Sequence, residues 1–312
     1  MTTTPPPPQV VAPAGAGART GSGDVAATLR ATKKRLTSPW ATFAAVVLAV
    51  LWTIPTFGLL VTSFRPAADI NATGWWTVLT SPNFTLENYQ TVMAVDSSQS
   101  LLPFIINSVV ITIPSVVLPI FLATLAAYSF AWMQFRGRDA LFVAVFALQV
   151  VPIQVTLIPL LSLYADIGVA GTFWAVWISH TMFGLPLAVF LLHNFMREIP
   201  GELIEAARVD GAGHVTVFFR LMLPLLKPAL AAFGIYQFLW VWNDLLVALT
   251  FAGSSNQVAP MTVALFNLTG TRGSQWFLLS AGAFVSIIVP ALVFLSLQRY
   301  FVRGLLAGSV KG

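Results

Sequence analysis

Six long apolar segments restrict this chain to a helical fold embedded in a membrane. A helix needs about 20 apolar residues to cross the hydrocarbon core of a bilayer, and its backbone polar groups then bond within the helix. The composition agrees, since 57% of the residues are hydrophobic and only 9% are charged. The predicted spans are residues 41–62, 103–133, 140–164, 172–195, 229–251 and 276–297.

The chain divides into three parts in this prediction. Residues 1–38 are rich in Pro, Gly, Ala and Thr and form a disordered tail that ends in a basic cluster. Residues 39–102 hold the first span and a long outside loop, and residues 103–312 form the core domain with spans two to six. Prolines inside several spans predict kinked helices, because neighbouring helices satisfy the carbonyls that proline leaves unpaired.

The distribution of basic residues predicts the orientation. With the N-terminus in the cytoplasm, fourteen of the 16 Lys and Arg residues fall in inside segments, and only Arg65 and Arg272 fall outside. Lys and Arg accumulate on the cytoplasmic side of membrane proteins. Both termini are therefore expected in the cytoplasm, in a multi-pass protein of the plasma (inner) membrane. This topology also accounts for the net charge of +5 without an acidic partner.

The sequence contains no recognised catalytic motif. It has no phosphate-binding loop of the form GxxxxGK[ST], no HExxH and no GxSxG. There is no cysteine, and the three histidines are too scattered to predict a metal site. The chain is therefore predicted not to be an enzyme and to bind no cofactor.

One acidic residue, Asp244, falls inside a predicted span. A carboxylate at that depth is costly and normally faces the bundle interior or water. Two interpretations remain open: Asp244 and Asn243 line a solute pathway, or they form a hydrogen-bonded pair in helix packing or a gate. Gln237 and Gln154 are weaker candidates for the same pathway. His180, also in a span, either lines a cavity or is a hydrogen-bonded histidine at a helix contact.

The segment 205–224 is the most polar part of the second half of the chain. Glutamates near Pro200 suit the start of a helix, and Gly211 and Gly213 suit its end. We predict a helix, a glycine turn and a second short helix. At helical spacing, Leu203, Ala206 and Ala207 share one face. The opposite face carries charged residues, namely Glu202, Glu205 and Arg208.

This segment resembles the EAA motif of permeases in ATP-binding-cassette (ABC) importers. Glu205-Ala206-Ala207 is followed after three residues by Gly211, and after nine more by Leu221-Met222-Leu223-Pro224. Leu221 stands where the family usually has isoleucine. WVWNDLLVAL, TSFRPAADI and the C-terminal QRYFVRGLLAGSVKG are similar to the carbohydrate permeases related to the maltose importer. GWWTVL, LQVVPIQVTLIPLL and NLTGTRGSQW look most similar to alpha-glucoside permeases within that group.

The resemblance implies an all-α type I ABC importer permease fold and a coupling helix between spans four and five. It implies a second permease subunit, an ATPase dimer that holds ATP-Mg, and an extracytoplasmic sugar-binding protein. Sugar import would then be driven by ATP hydrolysis on the partner. The residues that the resemblance assigns to ATPase coupling are Glu205, Ala206, Ala207, Arg208, Asp210, Gly211, Leu223 and Pro224.

Two other function classes fit the sequence less well than an ABC importer permease. An ion-coupled secondary sugar carrier often has internal repeats, and none is evident here. Such a carrier would also have only one acid within its spans to carry the coupled ion. An intramembrane hydrolase would need a nucleophile and a base at matching spacing, and the sequence has no such signature.

Overall fold

The computed structural model describes residues 39–95, 97–269 and 275–309, with side chains as far as residue 297. The predicted tail, residues 1–38, lies outside these ranges together with its basic cluster. All regular elements of the described ranges are helical. They are α1 Pro39–Ser63, α2 Ala67–Ala72, α3 Glu87–Met93, α4 Leu102–Trp132, α5 Arg138–Ala147, α6 Ile153–Asp166, α7 Phe173–Arg197, α8 Gly201–Val209, α9 His214–Leu225, α10 Lys227–Trp242, α11 Leu246–Ala252, α12 Met261–Thr269 and α13 Trp276–Ser309, together with 3₁₀ helices at Trp75–Leu79 and Leu148–Val150.

Four of these helices are long and apolar enough to cross a bilayer alone: α1, α4, α7 and α13. Two bent pairs supply the remaining candidates in the described ranges. One joins Arg138–Val150 to α6 at 98°, and the other joins α9 to α10 at 69°. Counting each pair as one span gives six candidates, the number that hydropathy predicts, although the second pair covers residues 214–242 and the predicted fifth span is 229–251. The first bend falls at Pro152, whose extended backbone starts α6.

The fifth predicted span, residues 229–251, is not one helix. The structure ends α10 at Trp242 and starts α11 at Leu246. The cause lies in Asp244, whose carboxylate accepts hydrogen bonds from the backbone N–H groups of Val247 (3.2 Å) and Ala248 (2.8 Å). An Asp side chain that caps a helix start in this way favours a new helix over continuation of the old one.

The chain separates into two units, residues 1–57 and 58–312. In the second unit, α4 and α7 form the most extensive helix pair, and α10 packs against α4, α7 and α13. Small side chains lie at the contact, including Ala123 and Ala127 on α4 and Ala188 on α7, all fully buried. Small residues let two helices approach closely when lipid rather than water surrounds them. This core supports both candidate sites.

Candidate functional site

The predicted helix, glycine turn and second helix are present between α7 and α10. Helix α8 ends in a turn in which Gly211 has φ +83°. The N–H of Gly211 donates to the carbonyl of Arg208 (2.9 Å), and the N–H of Ala212 donates to that of Ala207 (2.9 Å). This pair of bonds is the Schellman arrangement, which requires a left-handed residue and so favours glycine. Gly213 instead has φ −75° and precedes α9.

Ile204 attaches α8 to the membrane core. It is only 3% exposed and belongs to the apolar cluster that includes Tyr128 on α4 and Met196 on α7. The predicted apolar face of Leu203, Ala206 and Ala207 was therefore wrong in part. Leu203 is 46% exposed, whereas Ala207 does pack against the cluster. Leu203 and Ile204 differ by about 100° around the helix, and the contact with α4 and α7 selects Ile204.

The side of α8 opposite Ile204 is exposed and carries a small side chain. Ala206 lies about 160° around the helix from Ile204 and is exposed. The charged residues Glu205, Arg208 and Asp210 are exposed as well. No ion pair joins Glu205 to Arg208 in the described part of the chain. The exposed surface of α8 therefore carries a small apolar side chain and several charged groups.

Helix α9 contains a π-helical stretch, Val217–Met222, directly before Leu223 and Pro224. Proline has no N–H to donate to the carbonyl four residues earlier, and a wider π turn is one way for a helix to adjust. Met222 is fully buried in the same cluster as Ile204, whereas Leu223 is half-buried and Pro224 is exposed. Met222, inside the predicted Leu-Met-Leu-Pro sequence, thus provides the anchor.

A contact between Tyr128 and His214 was not predicted from the sequence. The Tyr128 hydroxyl, near the end of α4, lies 3.1 Å from His214 Nδ1 at the start of α9. The Tyr128 ring also packs edge-on against Phe218, with ring centroids 5.3 Å apart. No spacing rule connects residues 86 positions apart, so the sequence alone carries no signal for this contact. It fastens the second half of the loop to α4.

The second candidate site lies at the break between α10 and α11. The Asp244 carboxylate caps α11, and its oxygen Oδ2 lies 3.5 Å from Nε2 of His180 on α7. The Asp244 carbonyl accepts a hydrogen bond from Thr262 of α12 (2.6 Å). Asp244 therefore connects three elements, and the geometry favours the packing interpretation over a carboxylate that lines a pathway. His180 is fully buried and hydrogen-bonded, as expected of a histidine at a helix contact.

The other pathway candidates are not gathered into one cavity. Gln237 is fully buried, and its amide donates to the carbonyls of Ser115 (3.1 Å) and His180 (3.4 Å). Asn243 is exposed and donates to the carbonyl of Leu239 (2.8 Å). Gln154 is exposed at the start of α6. Gln237 thus joins the buried polar cluster around His180, while Asn243 and Gln154 lie on the surface of this chain.

The apolar helices and the two bent pairs define a helical membrane protein with several spans. Residues 115–306 match the family of binding-protein-dependent transport system inner membrane components, and the chain belongs to this family. It is similar to the osmoprotective compounds uptake permease protein GgtD of Synechocystis sp., with 53% identity over 272 residues, 86% of this chain and 90% of GgtD.

A second relative and a solved structure agree with this assignment. The alpha-glucoside transport system permease protein AglG of Rhizobium meliloti is 50% identical over 243 residues, which cover 76% of this chain and 63% of AglG. A chain in the crystal structure of a bacterial ABC transporter for import of the acidic polysaccharide alginate superimposes with a TM-score of 0.67. That match has 20% identity and covers 85% of this chain and 98% of the other, so it shows a shared fold.

Proposed function

We propose that this chain is a permease subunit of an ATP-driven importer of an alpha-glucoside or another oligosaccharide. In this proposal it forms the translocation pathway with a second permease, and an extracytoplasmic binding protein delivers the sugar. ATP-Mg binds to a separate ATPase dimer on the cytoplasmic face, where both termini of this chain lie. The alpha-glucoside relative at 50% identity supports the substrate class.

Helix α8 is the surface that receives the ATPase in this proposal, and its two-sided geometry is the observation that carries it. Ile204 fixes one side in the membrane core, while Ala206 on the other side leaves room for close backbone approach. Glu205 and Arg208 lie at other angles around α8, are exposed, and can pair with charges of the partner. Because the Gly211 turn is held by backbone hydrogen bonds, a displacement of α8 also moves α9.

Copurification of the ATPase with an Ala206→Arg variant tests this proposal. The new side chain points away from Ile204, so the fold of this chain is spared, but an ATPase bound against Ala206 must accommodate an unpaired charge. That costs about 2–5 kcal/mol in an interface, so binding weakens by roughly 30-fold or more. Ala140→Arg, at an exposed position on α5, is the matched control. Equal ATPase stoichiometry in both variants would refute a direct contact at α8.

A further inference from the structure

His180 and Asp244 form a buried pair of ionisable groups that coupling to an ATPase does not require. His180 is fully buried on α7, and the Asp244 side chain at the α10–α11 break is 8% exposed. The 3.5 Å between Nε2 and Oδ2 fits an ion pair, although Nε2 makes no well-aligned hydrogen bond. The other contacts of both side chains therefore decide the protonation state of the pair.

The first contact fixes one proton on the histidine ring. Nδ1 of His180 lies 3.0 Å from the carbonyl oxygen of Val176, one turn earlier on α7. A carbonyl oxygen can only accept, so Nδ1 carries a proton and donates it. Whether Nε2 carries a second proton decides the charge of the ring.

The contacts of Asp244 favour the ionised carboxylate. Oδ1 accepts from the backbone N–H of Val247 and Oδ2 from that of Ala248, at 3.2 and 2.8 Å. Hydrogen bonds donated to a carboxylate favour its charged form. A neutral His180 protonated only at Nδ1 would then direct the lone pair of Nε2 at a negative oxygen, and two acceptors would face each other in a buried site.

We propose that His180 is doubly protonated, and that His180 and Asp244 form an ion pair inside the membrane that fastens α7 to the break between α10 and α11. A buried ion pair is tolerated when hydrogen bonds satisfy its remaining polar atoms, and here backbone groups do so for Nδ1 and both carboxylate oxygens. Thr262 adds α12 to the joint through the Asp244 carbonyl. Any state of the transporter that separates α7 from the break must supply water or another partner to both charges.

The side chains that contact His180 from α10 are uncharged. The ring of Trp240 on α10 lies 5.3 Å from that of His180, and Gln237 donates to the His180 carbonyl. Ser179, the residue before His180, is hydrogen-bonded to the hydroxyl of Tyr164 on α6 (3.0 Å). The hydrogen bonds and ion pairs described for His180 and Asp244 involve no Lys, Arg or Glu side chain.

Solid-state NMR with ¹⁵N-labelled histidine tests the assignment in the full transporter in proteoliposomes. The difference spectrum between wild type and His180→Gln isolates His180, and we expect both of its ring nitrogens to be protonated. In Asp244→Asn the new amide keeps an oxygen for the α11 backbone and can donate to Nε2. His180 then becomes neutral, and the protonated Nε2 resonance is lost. An unprotonated Nε2 in the wild type would overturn the proposal.

Two further measurements keep the result decisive if His180→Gln does not fold. In the infrared difference spectrum between wild type and Asp244→Asn, we expect no C=O band of a carboxylic acid from the wild type. Such a band would place the proton on Asp244 and contradict the proposal. Asn243→Ala, at the exposed neighbour, should leave the His180 resonances unchanged; loss of the protonated Nε2 signal there would also contradict it. None of these readouts depends on an ATPase, so they fail or succeed separately from the proposed function.

Discussion

Gly211→Ala is the sharpest perturbation of the proposed coupling loop, because the structure isolates its effect to one backbone angle. A Cβ at Gly211 meets nothing within 4 Å, so no clash accompanies the substitution, but φ is +83°. An L-residue pays roughly 1–2 kcal/mol in the left-handed region. That shifts the balance toward other backbone arrangements of the turn by about 5–30-fold. The Schellman bonds that join α8 to α9 would then be lost in part of the population.

Gly213→Ala supplies the matched control. Its Cβ also meets nothing within 4 Å, and Gly213 has φ −75°, which alanine adopts without strain. Removing glycine at such a position tends to stabilise a protein by about 0.4–1 kcal/mol through the unfolded chain. The two variants therefore differ in backbone conformation and not in the space available to the new methyl group.

The assay is the ratio of sugar uptake to ATP hydrolysis in proteoliposomes that contain the whole transporter and its binding protein. We expect Gly211→Ala to lower this ratio several-fold and Gly213→Ala to leave it unchanged, with equal membrane insertion of both. Gly211→Pro should be more severe, because proline fixes φ near −65° and removes the N–H that bonds Arg208. Identical ratios for the two alanine variants would show that the left-handed turn is not needed for coupling.

Two other substitutions test the packing that supports the sites. Ile204→Ala should weaken the packing of α8 on the membrane core, since truncating a buried isoleucine costs about 2–5 kcal/mol. Faster limited proteolysis of the loop would report this loss. Leu203→Ala, at a 46% exposed position, should have little effect. Gly184→Ala should destabilise the chain by about 1–3 kcal/mol, because its Cβ would lie 2.7 Å from the Gln237 amide. Thermal unfolding in detergent measures this, with Gly234→Ala as the control because its Cβ has its nearest contact at 3.4 Å. Equal stability of the two variants would contradict the close approach.

The features that the sequence predicts correctly are local ones. Hydropathy over about 20 residues identifies spans without knowledge of their neighbours. The Gly211 turn follows from the same logic, since a glycine at a helix end requires only its own backbone and the preceding turn. The face of α8 is different, because Leu203 and Ile204 are both apolar neighbours. Only the contact with α4 and α7 selects between them, and a sequence pattern of this length does not contain it.

The break at Asp244 shows a second limit. Residues 229–251 read as one apolar segment because hydropathy averages over the few polar residues within it. The signal that could have predicted the break is the Asn-Asp pair directly before Leu-Leu-Val-Ala, since Asn and Asp favour positions at helix starts. A buried histidine from a distant helix then completes the environment of the carboxylate, and that partner is set by tertiary packing alone.

Helix α7 connects the two sites physically. Met196, near the C-terminal end of α7, packs in the cluster that holds Ile204, and His180 faces Asp244 sixteen residues earlier. At 1.5 Å per residue this is about 24 Å along one helix, which continues through Pro186. A displacement of α8 that moves Met196 must therefore either move His180 relative to the break or bend α7. Separating His180 from Asp244 would leave two unpaired charges in a low-dielectric site, which costs free energy. A displacement of α8 must supply this free energy before α7 can move away from the broken span.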